Sequence, residues 1–455
     1  MTGNTRGYRP MAGALLILAL GLAAAPAWAQ QTASGTQSTG DDWGGDDWGG
    51  DDWGDDPWAS EQTGWQWYGF VGGAAAARLH NDPAVDEDYP LAETRLQIEG
   101  ERVVGDYTAT IKGDVWLDGV EDGGRGDLRE ANLQGRLTDA IDIEAGRQIL
   151  TWGTGDLVFL NDLFPKDYVS FFSGRNDEYL KAPSDAIKLS FYGNANLDVV
   201  YTPRGEANRF ITGERLSYFS PRRGAVTAAP PAIDPDERDD WLDDSELALR
   251  LYQTVDGVEY AGYAFHGYDK QPSAVDPATG TPYFPRLSVL GASLRRPAAG
   301  GIANAETAYY FADDSGGDDP NRPNEQWRFL FGYEHEPLAD LTLGWQYYLE
   351  WTQDHDALID ATPADQRRYA PDEYRHLLTN RVTWQLLRQD LTISLFSFFS
   401  PSDADYFFRP RAEYRFSDRL TGTLGGNVFG GEDPWTFHTQ LQDNSNAYAR
   451  IRYNF

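Results

Sequence analysis

Charged side chains recur at every second position near the end of the chain: Arg409, Arg411, Glu413 and Arg415, then Arg450 and Arg452. Residues two apart share one face of an extended strand, so each run places guanidinium groups on a single surface. Arg95, Lys112, Arg129, Arg136, Arg250, Arg328 and Arg381 occupy matching positions in earlier segments. Opposed to them are Glu93, Glu99, Glu101, Asp114, Glu130, Asp142, Glu144, Glu246, Glu334 and Glu350. A wall carrying both signs sets a transverse field across water, and rows of arginine favour anions at a constriction. The plainer reading is that these charges pair with each other and only stiffen and solvate the wall.

Other chemistry is thinly represented. The six histidines are scattered, and His355 between Asp354 and Asp356 is a lone acid–base dyad without a matching partner. The chain lacks the G-x-S-x-G, HExxH and phosphate-loop patterns, so no enzymatic activity and no catalytic residue is expected. With no cysteine, disulfides, thiolate metal sites and cysteine catalysis are excluded. Acidic clusters at Asp234, Asp236, Asp239, Asp240, Asp243 and Asp244, and at Asp313, Asp314, Asp318 and Asp319, offer hard oxygen ligands for Ca²⁺. They lack the spacing of a known calcium loop, so a solvated acidic surface is expected and no cofactor. A formal charge of −33 repels a phosphate backbone and argues against a nucleic-acid partner.

The elements that must position the charged face are short alternating strands. In Thr342 to Thr352, Leu343, Trp345, Tyr347, Leu349 and Trp351 share one face, while Gly344, Gln346, Tyr348 and Glu350 share the other. Tyr107 to Leu117 and Phe408 to Phe416 repeat the pattern. Period-two alternation with an apolar, aromatic-rich face is what a lipid-facing strand requires. Connections alternate as well. Tight ones fall at 138–140, 193–195, 255–257, 388–390 and 417–419, and long ones at 152–184, 203–243, 269–285, 313–325 and 353–374. This asymmetry predicts an all-β, transmembrane, antiparallel up-and-down barrel of about 18 strands over residues 65–455, with 16 as the alternative. Average hydropathy, −0.56, conceals such a barrel because only alternate residues meet lipid.

Both ends of the chain fit export. Arg6 and Arg9 precede an apolar run from Met11 to Ala25, and Ala27-Trp28-Ala29 supplies a small-x-small cleavage pattern, so residues 1–29 read as a secretory signal peptide. Residues 30–64 read as a disordered periplasmic linker. In it DDWGG recurs around Trp43, Trp48 and Trp53, which makes residues 41–58 a candidate docking segment for a periplasmic protein. The final strand alternates Ala447, Ala449, Ile451, Tyr453 and Phe455 with Tyr448, Arg450, Arg452 and Asn454. An alternating strand that ends in Tyr453 and Phe455 resembles the signal read by the barrel-insertion machinery of the outer membrane.

The stretch Gly146-Arg147-Gln148, three residues, then Trp152-Gly153, resembles the GRQ-x3-WG segment of porin-like and alginate-export-like families of the Gram-negative outer membrane. Asn161-Asp162-Leu163-Phe164-Pro165 follows it, as a comparable loop does there. The resemblance implies a channel barrel with an inward-dipping loop and assigns no substrate. Between Thr151 and Lys181, Trp152, Phe159, Phe164, Tyr168, Phe171 and Phe172 are too apolar to wave in water; Lys166 and Arg175 are nearby cations. That loop is the expected constriction, with a lid packed outside, or contact to lipopolysaccharide or a neighbouring subunit, as the alternative. Three functions remain open. The first is passive passage of small or oligomeric solutes, anionic ones among the candidates. The second is an outer-membrane part of an export or lipid-transport system docking through the DDW repeats, and the third is a structural or adhesive surface protein.

Overall fold

A computed structural model of the protein describes residues 64–313 and 315–455; the expected signal peptide and the DDWGG segment lie outside the described residues. Eighteen strands carry the fold. β1 to β6 are Gln66–Arg78, Leu91–Val104, Tyr107–Asp118, Gly123–Thr138, Ile141–Gln148 and Ser184–Phe191. β7 to β12 are Asn196–Thr202, Glu246–Val255, Val258–Tyr268, Arg286–Ala298, Gly301–Ala312 and Gln326–Leu338. β13 to β18 are Leu341–Thr352, Tyr374–Leu386, Leu391–Ser400, Asp405–Arg415, Leu420–Gly431 and Asn446–Asn454.

Each strand pairs antiparallel with its neighbour in sequence, and β18 pairs with β1 from Phe70↔Asn454 to Arg78↔Asn446, so the sheet closes on itself. Closure satisfies every strand edge, the condition for a sheet to cross a bilayer. Phe455 extends the seam: its backbone exchanges hydrogen bonds with Gly69 at 2.9 and 3.2 Å. Its ring lies over that glycine so closely that a Cβ on Gly69 would meet it at 2.8 Å.

The count of eighteen and the alternation of loops agree with the sequence. Tight turns join β2 to β3, β4 to β5 and each later even–odd pair, and both barrel termini lie at that end. At Asp256-Gly257 both residues have positive φ, 51° and 75°, the conformation that matches a two-residue hairpin to strand twist. The opposite end carries the long segments, including 149–183 and 203–245.

The outer surface is apolar. Ile111, Val115 and Leu117 on β3, Phe331 on β12, Trp345 on β13, Leu424 on β17 and Ile451 on β18 are all exposed. Their strand neighbours Asp114, Asp118, Leu330, Gln346 and Tyr448 are buried inside. This is the inside-out pattern of a protein whose solvent on one side is lipid. The molecule is thus an outer-membrane β-barrel.

Candidate functional site

The residues from Leu150 to Ala182 fold into the barrel. Leu157, Leu160, Phe171, Phe172 and Leu180 form one apolar cluster with the inward-facing Leu330, Tyr348, Leu377, Phe396, Phe398, Phe407 and Phe429. Phe172 meets Phe407 and Phe429 edge-on at 5.6 and 5.4 Å, an arrangement favoured by the ring quadrupoles. Leu150 and Phe164, with Trp152 against them, form a second cluster with Val200, Ala248, Phe265, Val289 and Tyr310. The two clusters pin the loop to β7–β11 on one side and to β12–β17 on the other.

Local chemistry shapes the loop. Asp167 caps the short helix α1, Tyr168–Ser173, accepting from the Ser170 amide at 2.7 Å. α1 stops at Gly174, whose φ of 98° suits glycine, and a Cβ there would meet the Tyr448 ring at 2.6 Å. Lys166 is buried and donates to Asp162 at 2.9 Å and to the Phe164 carbonyl at 2.8 Å, with Phe159 4.8 Å from its ammonium. It staples the loop rather than facing solute. Arg175 likewise is buried and donates to Glu93 on β2 at 2.9 Å.

Past α1 the loop presents acids to the wall. Asp177 accepts from Arg409 at 2.7 Å and from Arg411 at 3.1 Å, both on β16. Glu178 meets Arg452 on β18 at 3.0 Å, and earlier in the loop Asp156 meets Arg381 on β14 at 2.7 Å. Burial alone would push the Asp177 carboxyl up; Arg409 and Arg411 outweigh it and hold the group well below the usual carboxylate range. Tyr179 then lies between the guanidinium groups of Arg95 and Arg129, 4.5 and 4.7 Å from its ring.

Several other wall cations are paired within the wall, while Arg129 donates to the loop carbonyls of Glu178 and Lys181 at 2.9 and 3.2 Å. Arg95 meets Glu93 at 3.0 Å and Asp114 at 3.1 Å. Lys112 meets Glu99 at 3.1 Å, Arg250 meets Glu259 at 2.9 Å, and Arg328 meets Glu350 at 3.4 Å. Arg415 pairs with Asp390 in a tight turn at 2.9 Å, and Glu413 accepts from Thr423 at 3.1 Å. Arg450 lies 5.0 Å over the Tyr448 ring, and one of its terminal nitrogens is buried without a hydrogen-bond partner among the described residues.

The sequence pattern therefore separates into two groups. Arg381, Arg409, Arg411, Arg450 and Arg452 gather on β14, β16 and β18, and loop acids meet four of them, all but Arg450. Arg95, Lys112, Arg250 and Arg328 each find a carboxylate on their own or the next strand. The acids Asp156, Asp177 and Glu178 carry no periodic signal and go unmarked in the sequence; their place in an aromatic loop is the one cue to them. Tyr453 and Phe455 are exposed on the lipid side at the seam, apart from the lumen. No group of histidine or acidic side chains among the described residues is arranged to hold a metal.

This architecture is a closed outer-membrane β-barrel with a loop folded inside it. No family model matches the chain, and no curated protein does. Among solved structures it is similar to OccAB3 of Acinetobacter baumannii, at 10% identity, a TM-score of 0.51, and coverage of 86% of this chain and 99% of that one. It is also similar to OccAB2 of the same organism, at 9% identity, a TM-score of 0.50, and coverage of 86% and 98%. At that identity the likeness is one of fold.

Proposed function

We propose that the barrel passes small anionic solutes, carboxylates above all, along the arginine row of β14, β16 and β18. One observation carries this reading: carboxylates of the loop pair with Arg381, Arg409, Arg411 and Arg452 of the row. Asp156, Asp177 and Glu178 occupy the positions where a passing carboxylate would bind. Guanidinium groups bind carboxylates with directional, charge-assisted hydrogen bonds. A row of such groups, each shared with a neighbour, offers several sites of moderate strength, which is what conduction needs.

The aromatic seat of the loop supports the reading from the other direction. Apolar packing of Phe171 and Phe172 holds the loop in the lumen irrespective of salt, so the acids remain beside the row. The test is the reversal potential of the purified protein in planar bilayers under a KCl gradient. An anion-biased potential is expected, and a cation-biased one overturns the proposal.

A further inference from the structure

The wall is lowest between β4 and β7. β5 and β6 end together at the Gln148↔Ser184 pair, where the inward loop leaves and returns. β6 and β7 share five residue pairs, Ile187↔Tyr201 to Phe191↔Leu197, where the next shortest ladders have seven. β4 instead rises from Ala131, opposite Arg147, to Gly123, about 25 Å further along the strand. On its other edge β3 sets Val115 and Leu117 against Gly126 and Gly124, and both are exposed on the lipid side. The apolar band thus reaches above the ends of β5 and β6. At that height the bilayer faces a notch two strands, about 10 Å, wide.

Charged groups finish the notch. Asp185 shares a strand face with the lipid-exposed Ile187, and its pair partner on β5 is Arg147, so both point outward. The Arg147 guanidinium donates to the Leu128 carbonyl of β4 at 2.6 Å and meets Asp185 at 3.1 Å and Glu206 at 3.4 Å. Arg204 meets Glu206 at 3.5 Å. Ionised groups at the level of hydrocarbon are costly and mark a path for polar cargo. Behind them lies a cavity of about 260 Å³. Arg204 and Glu206 line its outer side, and Glu246, ion-paired with Lys270, lines its inner side. Glu246 faces inward because its neighbour Leu247 is exposed to lipid. The cavity therefore joins the lipid-facing flank to the lumen face of β8.

We infer that the notch and cavity form a side passage between the outer leaflet and the barrel mouth for an amphiphile with a small zwitterionic headgroup. Glu237 and Asp239 line the cavity without an ion pair among the described residues, and Phe210 and Phe284 add ring faces, so an ammonium is matched there. Arg204 and Arg238 supply donors for the anionic group. Trp241 and Leu242 are exposed, and the Leu242 amide donates to the Pro203 carbonyl at 2.8 Å, just past the end of β7. They extend the apolar flank on which the alkyl chain lies. The passage shares no residue with the arginine row of β14, β16 and β18.

Photolabelling of the full-length protein in phosphatidylglycerol nanodiscs tests this, with lysophosphatidylcholine carrying a diazirine beside its headgroup as the probe. Peptides spanning residues 203–210 and 280–285 should be labelled as well as the lipid-facing strands. E237K/D239K should cut that labelling at least tenfold, and a lysophosphatidic acid probe, which lacks the ammonium, should label this variant instead. A short bismaleimide bridge across R147C/E206C is specific because the chain holds no cysteine. It should close the notch and give the same loss, while KCl conductance in planar bilayers stays at the wild-type value. All variants should keep wild-type heat-modifiable migration. Labelling confined to the lipid-facing strands, equal labelling of E237K/D239K and wild type, or a bridge that changes nothing would overturn the inference. None of these readings depends on the ion selectivity of the lumen.

Discussion

On the arc formed by β2, β3 and β4, Arg95 and Lys112 meet carboxylates carried by the wall itself, Asp114 on β3 and Glu99 on β2. On the arc from β14 to β18, Arg381, Arg409, Arg411 and Arg452 meet carboxylates carried by the inward loop. The two arcs carry similar numbers of basic residues, but the strands of the second carry two acidic residues against seven in the first. What differs is who holds the counter-charge. An ion pair between neighbouring strands is fixed by the hydrogen-bond ladder, so it cancels locally and serves the barrel. A pair between strand and loop leaves the wall with an uncompensated row whenever a solute carboxylate takes the place of the loop's.

The contrast is sharpest where one partner is removed. Arg95→Gln should be the most costly change. It leaves Asp114 buried without its salt-bridge partner and Glu93 with Arg175 alone, at a cost of about 3–5 kcal/mol. Urea unfolding of the barrel in lipid vesicles reads this, and a loss below about 1 kcal/mol would mean the wall pair is not structural. Phe172→Ala should come next, at about 3 kcal/mol or more of lost loop seating, because it removes the ring packed edge-on against Phe407 and Phe429. Faster proteolysis between residues 151 and 181, with the barrel intact, is the expected sign.

Arg452→Gln should behave in the opposite way. Its partner Glu178 keeps 31% of its side-chain exposure, so stability should stay within about 1 kcal/mol of wild type. Selectivity should nevertheless move toward cations in the bilayer assay. The smallest effect expected is that of mild acid. A carboxyl whose folded-state pKa is depressed contributes stability above the ordinary carboxylate range and loses it as pH falls through its own, lower value. Asp177 is such a group, so its latch on Arg409 and Arg411 should survive acidification from pH 7 to about 4 and weaken only below that. Release of the loop at pH 5, seen as new proteolytic cuts near Asp177, would contradict the assignment.

Much of the wall is legible in the sequence because strand period and burial agree. Leu343, Trp345 and Tyr347 alternate with Gly344, Gln346 and Tyr348, and nothing local competes with that pattern. Arg409 and Arg411 face inward for the same reason. Their partner is not legible: Asp177 is 232 residues away from Arg409, and no period relates a loop to the wall it crosses to. The aromatic content of residues 151–181 predicts that the segment is buried, but not against which strands. Lys166 shows the same limit, since a lysine beside a pore and a lysine buried on Asp162 read alike until the fold is closed. The side cavity is invisible for the same reason, being lined by Arg204, Glu237, Glu246 and Lys270 from separate segments.

The measurement that tests the account most directly compares equal kinds of charge removed from the two arcs. In one variant Arg381, Arg411 and Arg452 become Gln; in the other Lys112, Arg250 and Arg328 do. Reversal potentials of both are taken in planar bilayers under the same KCl gradient. The loop-neutralised row should shift the potential strongly toward cation selectivity, and the wall-neutralised set should shift it little. Equal shifts, or a larger one from the second set, would show that total lumen charge governs passage and that the source of the counter-charge does not.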